Sequence, residues 1–191
     1  MNFHQLLQKG QKILNSKSII NASLDSELLL ANALRTTREK LLVNLSSKAT
    51  NSEVKKFKIN IDKRKNNIPI AYILGKKEFW KIQFKIDKSV LIPRPETEII
   101  VEQALKYIKK DQKKNIIDVG IGSGCILISI LKERNRCIGT GIDVSKSALK
   151  IAKINAKMQH IQNRIRFIHS DIDNNNFSKY DMLVSNPPYI K

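Results

Sequence analysis

The sequence predicts an α/β fold whose parallel sheet is preceded by a small all-helical domain and a β-hairpin linker. Apolar residues recur at helical spacing up to residue 74, and their period changes to two near residue 80. From residue 115 onward, short apolar strands alternate with helices, which is typical of a parallel sheet with right-handed crossovers. We therefore divide the chain into residues 1–75, 76–95 and 96–191.

Capping residues predict where the helices of the first 75 residues begin. Apolar residues between Phe3 and Leu14 share one face of the first helix. The predicted starts of the later helices are Ser23 or Asp25, then Thr36 with Glu39 in a capping box, then Asn51 or Ser52, then Pro69. We expect this domain to contain no catalytic cluster of its own.

A β-hairpin is predicted to link the helical domain to the sheet. Apolar residues alternate with polar ones from Trp80 to Ile86, which indicates a strand with one buried face. Residues 87–89 can turn the chain, and residues 90–92 can form the returning strand. The following Pro93-Arg94-Pro95 is rigid and cannot lie inside a helix.

Four short apolar runs predict the parallel strands, at residues 116–119, 137–142, 165–169 and 181–185. Helical patterns lie between them, from residue 126 to 131 and from Ser145 or Ser147 to Met158. The carboxyl ends of parallel strands meet at one edge of the sheet, where ligands bind in open α/β folds. The residues that follow each strand are therefore the candidates for a ligand-binding site.

Composition excludes several classes of protein. The chain has 191 residues, 41% of them hydrophobic, but no apolar stretch approaches the ~18 residues of a membrane span. The first residues are amphipathic, so we interpret them as mature protein rather than a signal peptide. Cys125 and Cys137 form neither a disulfide framework nor a metal-binding pattern, which favours a reducing cytoplasm and no metal.

The net charge of +18 has two interpretations. A proteome biased toward lysine would produce it without any functional role. Alternatively, the charge indicates a partner rich in nucleic acid, such as the ribosome, or nucleic acid itself. The sequence leaves both open.

A glycine-rich loop follows the first predicted parallel strand. It consists of Gly120, Ile121, Gly122, Ser123 and Gly124, and a helix begins directly after it. Glycines let the backbone turn sharply and approach a ligand closely. The spacing is neither that of a dinucleotide loop nor that of a phosphate loop, so an adenosine ligand without a pyrophosphate is favoured. Alone, the loop is equally compatible with a tight turn.

Two acidic residues end the next two strands. Asp143 lies about 20 residues after the glycines, where an acid accepts hydrogen bonds from a ribose diol. It can also cap the following helix, and the two roles are compatible. Asp171 ends the third strand, where it can meet the amino group of an adenine or cap a turn.

The fourth strand leads into Asn186-Pro187-Pro188-Tyr189. Neither proline has an N–H to donate, so the sheet ladder stops there and Asn186 lies at the ligand-binding edge. The box is either a rigid structural turn or part of a functional site.

These motifs together resemble those of a known family. The glycine loop, Asp143, Asp171 and the Asn-Pro-Pro-Tyr box stand in the order found in class I S-adenosylmethionine-dependent methyltransferases, whose sheet is Rossmann-like. Residues 69–75, 78–80 and 91–98 narrow the resemblance to the release-factor glutamine methyltransferases, the HemK/PrmC family. The resemblance covers essentially the whole chain.

The resemblance implies methyl transfer from S-adenosyl-L-methionine to the amide nitrogen of the glutamine in the Gly-Gly-Gln motif of peptide chain release factors. Residues 1–75 would recognise this substrate. The implied catalytic residues are Asn186, Pro187 and Tyr189, which bind substrate together with Pro188. The implied cofactor-binding residues are Gly120, Ile121, Gly122, Ser123, Gly124, Asp143, Asp171, Ile172 and Asn186. Arg94, Pro95 and Glu96 would frame the site.

This chain departs from the family pattern in two respects. Ile172 stands where the family often has an aromatic residue, so we expect an aliphatic contact with the adenine. The family sheet has seven strands and continues beyond the Asn-Pro-Pro-Tyr box, whereas about four strands are predicted here, as in a truncated chain. Two alternatives therefore stay open: a nucleic-acid adenine-N6 methyltransferase, and an inactive remnant that only binds a partner.

Overall fold

The computed structural model describes residues 1–174 and 179–187. The chain forms two compact units, Met1–Leu74 and Gly75–Lys191. The α/β fold class is confirmed, with a helical N-terminus and a parallel sheet. The division into three domains with the hairpin as linker stays a prediction.

The first unit contains the helices expected from the apolar periodicity. They are α1 (Phe3–Asn15), α2 (Ala22–Leu34), α3 (Arg38–Val43), α4 (Asn51–Lys65) and α5 (Ile70–Leu74). Their buried faces form one apolar core, to which Leu14, Leu29 and Leu30 contribute fully buried side chains.

The residues that cap these helices differ slightly from the predicted ones. Thr37, rather than Thr36, caps α3 by accepting the N–H of Lys40. Thr50, rather than Asn51 or Ser52, caps α4 and forms a capping box with Glu53. α2 begins after Asn21, before the predicted Ser23 or Asp25, and Asn21 makes no side-chain cap. Neighbouring polar residues offer the same cap chemistry, so tertiary packing selects among them.

A buried ion pair joins α2 to α4. Arg64 Nε lies 2.6 Å from Asp25 Oδ2, and the Asp25 side chain is only 7% exposed. Arg64 Nη1 also donates to the backbone carbonyl of Ile68. Removing one partner of such a pair leaves an uncompensated buried charge, so this contact fixes how the two helices pack.

The hairpin is present, but its turn lies earlier than predicted. β1 (Lys76–Phe79) pairs antiparallel with β2 (Ile82–Lys85), and Trp80-Lys81 form the turn. Both turn residues have left-handed φ angles, 51° and 57°, as a two-residue hairpin turn of type I′ requires. The chain does turn at residues 87–89, where the N–H of Val90 donates to the carbonyl of Asp87 at 3.2 Å. That turn is not the hairpin turn, however, and the predicted returning strand at residues 90–92 is wrong. The burial of Phe79 and Phe84, packed edge to face, fixes the observed register.

The four predicted parallel strands are confirmed with small shifts of their ends. They are β3 (Asn115–Val119), β4 (Ile138–Asp143), β5 (Ile165–His169) and β6 (Met182–Ser185). The strand order is β5-β4-β3-β6. From β3 the chain therefore adds β4 and β5 on one side of the sheet and then β6 on the other side of β3. Such a switch point opens a crevice outside the carboxyl ends of the strands.

Three helices accompany this sheet: α6 (Glu98–Tyr107), α7 (Cys125–Glu133) and α8 (Lys146–Met158). α7 is apolar along its buried face and contributes Leu127, Ile128 and Ile130 to the core of the second unit. The hairpin adds Phe79 and Phe84 to the same core. The glycine loop and the hairpin are therefore held by one continuous apolar cluster.

Two kinds of feature are absent from residues 1–174 and 179–187. No described helix is long and apolar enough to cross a membrane. The described histidine, cysteine and acidic side chains form no group of three or more that could hold a metal ion.

Candidate functional site

A cleft opens at the carboxyl edge of the sheet, at the switch point beside β3. Its walls come from Leu91–Arg94 with Thr97, from Gly120–Ser123 with Cys125 and Ile126, and from Asn186. The structure thus brings the predicted glycine loop, Arg94 and Asn186 together, although they lie far apart in the sequence.

The glycine loop is shaped by backbone contacts at its start. The N–H groups of Gly120 and Ile121 both donate to the carbonyl oxygen of Ile142, each at 2.9 Å. Gly120 and Gly122 have φ angles of +71° and +54°, a region that side chains with a Cβ rarely adopt. The loop therefore folds back over the end of β4 and ends at Gly124, the N-cap of α7.

The Asp143 carboxylate binds the glycine loop directly. Its Oδ2 accepts the N–H of Gly122 at 2.9 Å, and its Oδ1 accepts the N–H of Ser145 at 2.8 Å. Ser145 then caps α8 by accepting the N–H of Ala148. Each carboxylate oxygen has a second lone pair, so these bonds leave acceptor capacity for a ligand. The ribose role of Asp143 stays a prediction.

Asn186 is held at the end of β6, at the cleft. Its Nδ2 donates to the Thr97 hydroxyl at 3.3 Å. The preceding Ser185 hydroxyl donates to the carbonyl of Val119 at 2.8 Å, which fixes the end of β6 against β3. Pro187 is exposed. Pro188 and Tyr189, both expected to bind substrate, lie outside the described residues.

The residues expected to frame the site divide between the cleft and the turn beside it. Arg94 lines the cleft. Pro95 and Glu96 are exposed and belong to a single 3-10 turn, Pro95–Thr97, whose last residue holds Asn186.

Asp171 and Ile172 lie beyond the end of β5 and do not line the cleft that the described residues form. Asp171 Oδ1 accepts the N–H of Asp173 at 3.4 Å. Ile172 begins a short 3-10 turn and is 42% exposed. Their contacts with a cofactor stay predictions.

Sequence reasoning gave no role to Asp118, which lies in β3 directly below the loop. It is 1% exposed, and among the described residues neither carboxyl oxygen has a partner in hydrogen-bonding geometry. Burial raises the pKa of Asp118 to about 7; the Leu127 N–H lowers that pKa in part, and the charge of Asp143 raises it. A carboxylate in the middle of an apolar strand is the sequence signal that points to it.

Cys125, beside Asp118, is a packing residue rather than a nucleophile. Burial raises the pKa of its thiol to about 12, so the thiol is neutral at physiological pH. The thiol therefore adds no charge to this part of the cleft.

Comparisons with known proteins match both parts of the chain. Residues 5–75 match the family model of the PrmC N-terminal domain, and residues 97–191 match that of the methyltransferase small domain.

Three curated relatives are named release factor glutamine methyltransferase. The protein of Buchnera aphidicola subsp. Baizongia pistaciae is 37% identical over 91% of this chain and 62% of its own length. That of Coxiella burnetii is 42% identical over 87% of this chain and 60% of its own length. That of Buchnera aphidicola subsp. Schizaphis graminum is 37% identical over 100% of this chain and 68% of its own length. The chain thus spans about three fifths to two thirds of these relatives.

Proposed function

We propose a methyl-transfer function, starting from the fact that this chain belongs to the release factor glutamine methyltransferase family. The proposed reaction moves a methyl group from S-adenosyl-L-methionine to the side-chain amide nitrogen of the glutamine in the Gly-Gly-Gln motif of a peptide chain release factor. Methylation there would modulate translation termination in the cytoplasm. The observation that carries the proposal is Asn186 in the same cleft as the glycine loop.

The residues around the loop fit this cofactor. Asp118 is a buried carboxyl directly below the loop, and among the described residues neither of its oxygens has a partner in hydrogen-bonding geometry, so it is our candidate for binding the ammonium group of the methionine part. Asp143 keeps lone pairs for the ribose hydroxyls. When bound, the cofactor supplies a methyl group already activated on a sulfonium sulfur, so the reaction needs neither a metal nor a covalent nucleophile.

The substrate amide requires orientation, because its nitrogen lone pair is delocalised into the carbonyl group. In our proposal, Asn186 Oδ1 and the backbone carbonyl of Pro187 accept the two N–H bonds of the glutamine amide. These bonds hold the nitrogen in place and favour lone-pair density on its free face. Thr97 supports this arrangement, because its hydroxyl accepts a hydrogen bond from Nδ2 of Asn186. This bond assigns Oδ1, rather than Nδ2, to the substrate amide.

In our proposal, Tyr189 packs on the flat face of the substrate amide. Pro187 and Pro188 make the Asn-Pro-Pro-Tyr box rigid. Proline fixes the φ angle, so two consecutive prolines restrict how the chain leaves β6. Neither Pro188 nor Tyr189 lies within the described residues, and their roles come from the family resemblance alone.

A parallel labelling experiment tests this function. The chain is incubated with S-adenosyl-L-methionine carrying a labelled methyl group, and with either a release factor or double-stranded DNA. We expect label in the release factor only. Label in DNA but not in protein would instead support an adenine-N6 methyltransferase, to which the +18 net charge is suited. Folded protein that binds no cofactor in calorimetry would support a remnant that only binds a partner.

A further inference from the structure

Asn155 in α8 is fully buried and makes three hydrogen bonds through its side chain. Its Oδ1 accepts the N–H of Lys85 at 2.7 Å. Its Nδ2 donates to the carbonyl of Lys85 at 2.9 Å and to the carbonyl of Ser123 at 2.8 Å. Both amide hydrogens are therefore used, and the residue is 0% exposed.

One partner of Asn155 belongs to a wall of the cleft, and the other lies on the segment that leads to the second wall. Ser123 is part of the glycine loop. Lys85 is the last residue of β2, and the chain continues from it through the buried Ile86, whose N–H donates to the carbonyl of Gly75 at 3.1 Å. The same segment reaches Leu91–Arg94, which forms the other wall. One side chain thus links two segments that lie 32 and 70 residues away from it.

We propose that Asn155 is a positioning residue that fixes the spacing of the two walls of the cofactor cleft. The inference rests on the proposed function only for the identity of the ligand. A buried amide that satisfies three backbone groups at once restrains both segments, because releasing either one leaves a polar group unpaired in the interior. The restraint prepares the loop for the ligand and reduces the conformational entropy lost on binding.

A neighbouring residue provides a matched control. Gln159 lies one turn later, at the C-cap of α8, and its Nε2 donates to the carbonyl of Gln83 at 3.2 Å. It therefore contacts the same strand, β2, through the same chemical group. It is only half-buried, however, and none of its hydrogen bonds in the described structure reaches the glycine loop.

The experiment compares Asn155→Ala with Gln159→Ala in the whole chain. Amide hydrogen exchange is followed in peptides covering residues 83–94 and 120–126, and calorimetry gives the Kd for S-adenosyl-L-methionine. We expect Asn155→Ala to accelerate exchange in both segments and to raise the Kd about tenfold, which corresponds to one lost buried hydrogen bond. We expect Gln159→Ala to leave residues 120–126 and the Kd unchanged.

Two further variants separate positioning from loss of stability. Leu149→Ala removes a buried apolar side chain from the same helix, so it lowers the unfolding midpoint without removing a side-chain hydrogen bond to either wall. Asn155→Asp keeps the acceptor for the Lys85 N–H but loses the Nδ2 bonds to the carbonyls of Lys85 and Ser123. Lys85 thus keeps one of its two bonds while Ser123 loses its bond to this side chain, so exchange should accelerate more in residues 120–126 than at residue 85. This variant also serves if Asn155→Ala does not fold.

The inference is overturned if exchange in residues 120–126 stays at the wild-type rate in both Asn155 variants, or if Leu149→Ala reproduces their pattern. A failure of the proposed function gives a different result. In that case the Asn155 variants loosen both walls, but the wild-type chain does not bind S-adenosyl-L-methionine.

Discussion

The side-chain amide nitrogen of Asn186 donates to the hydroxyl of Thr97 at 3.3 Å, across 89 residues of sequence. Thr97 is 8% exposed and is the last residue of the turn that leads into α6. The bond assigns Nδ2 of Asn186 to Thr97, so Oδ1 is the acceptor atom that the proposed mechanism uses. Asn186, which we propose touches the substrate, is therefore oriented by the segment that includes Arg94, Pro95 and Glu96.

Thr97→Val should lower kcat for release factor methylation about tenfold. Valine keeps the shape of threonine but removes the hydroxyl that orients Asn186, at the energetic scale of one hydrogen bond. The Kd for S-adenosyl-L-methionine should change less than threefold, since we propose that Thr97 acts through Asn186 on the substrate amide. Steady-state kinetics and calorimetry on the same preparations measure both quantities.

Thr140→Val provides the control for this substitution. Thr140 is also buried, but it lies in β4, which β3 separates from β6. Equal kcat values for Thr97→Val and the wild type would contradict the orienting role.

Gly141→Ala should weaken cofactor binding about tenfold or more. A Cβ at Gly141 would lie 2.1 Å from Cδ1 of Ile121, so the buried Ile121 side chain, or the glycine loop that carries it, must shift to admit it. Gly139→Ala is the matched control, because it lies two residues earlier on β4 and its Cβ would meet Leu127 of α7 at 2.7 Å. Calorimetry should give a much higher Kd for S-adenosyl-L-methionine with Gly141→Ala than with Gly139→Ala. A higher Kd with Gly139→Ala would contradict the proposed role of the loop in cofactor binding.

Asp118→Asn should change how stability depends on pH. The pKa of Asp118 is raised to about 7 in the folded protein, mainly by burial, from its ordinary value of 3.8. Below about pH 4 the group is protonated in both states and contributes no pH dependence. Between about pH 4 and 7 the unfolded chain releases a proton that the folded chain keeps, so wild-type stability falls as pH rises.

We expect the free energy of unfolding of the wild type to fall by an amount of the order of 4 kcal/mol by pH 7 and to stay constant at higher pH. Urea unfolding at a series of pH values gives this free energy for the wild type and for Asp118→Asn. A plot of the free energy against pH should not show this fall for the variant. Parallel curves for the two proteins between pH 4 and 7 would show that Asp118 does not titrate in this way.

The parts of the fold that follow from local patterns were predictable. Alternating strands and helices, glycines after a strand, and prolines that stop β6 are each determined by neighbouring residues. The structure accordingly confirms the four parallel strands and the helical first unit. The cap positions of α3 and α4 shifted by a residue or two, because adjacent threonine, serine and asparagine side chains are nearly equivalent as caps.

The hairpin turn was not predictable from local patterns. Trp80 and Lys81 adopt left-handed φ angles that glycine and asparagine usually supply, whereas Asp87-Lys88-Ser89 has the composition of a turn. The burial of Phe79 and Phe84 decides the register, and this burial depends on α7 and the sheet. A tertiary contact therefore overrides the local signal.

Asp118 and Asn155 were missed for a related reason. Their importance comes from what surrounds them: no described residue pairs with Asp118 in hydrogen-bonding geometry, and Asn155 contacts residues 32 and 70 positions away. Asp143, by contrast, was found from its spacing to the glycines, and its carboxylate accepts the N–H of Gly122. Spacing thus predicts residues at the ends of adjacent parallel strands, but not residues whose role depends on packing between distant segments.

The most direct test of the account is to locate the transferred methyl group by mass spectrometry. The chain and its Asn186→Ala variant are each incubated with a release factor and S-adenosyl-L-methionine carrying a deuterated methyl group, and the Gly-Gly-Gln peptide is fragmented. We predict one methyl group on the glutamine amide nitrogen with the wild type, and at least a hundredfold slower labelling with the variant at a similar cofactor Kd. Label absent from that glutamine, or equal labelling by both proteins, would contradict the central claim that Asn186 orients this amide for methyl transfer.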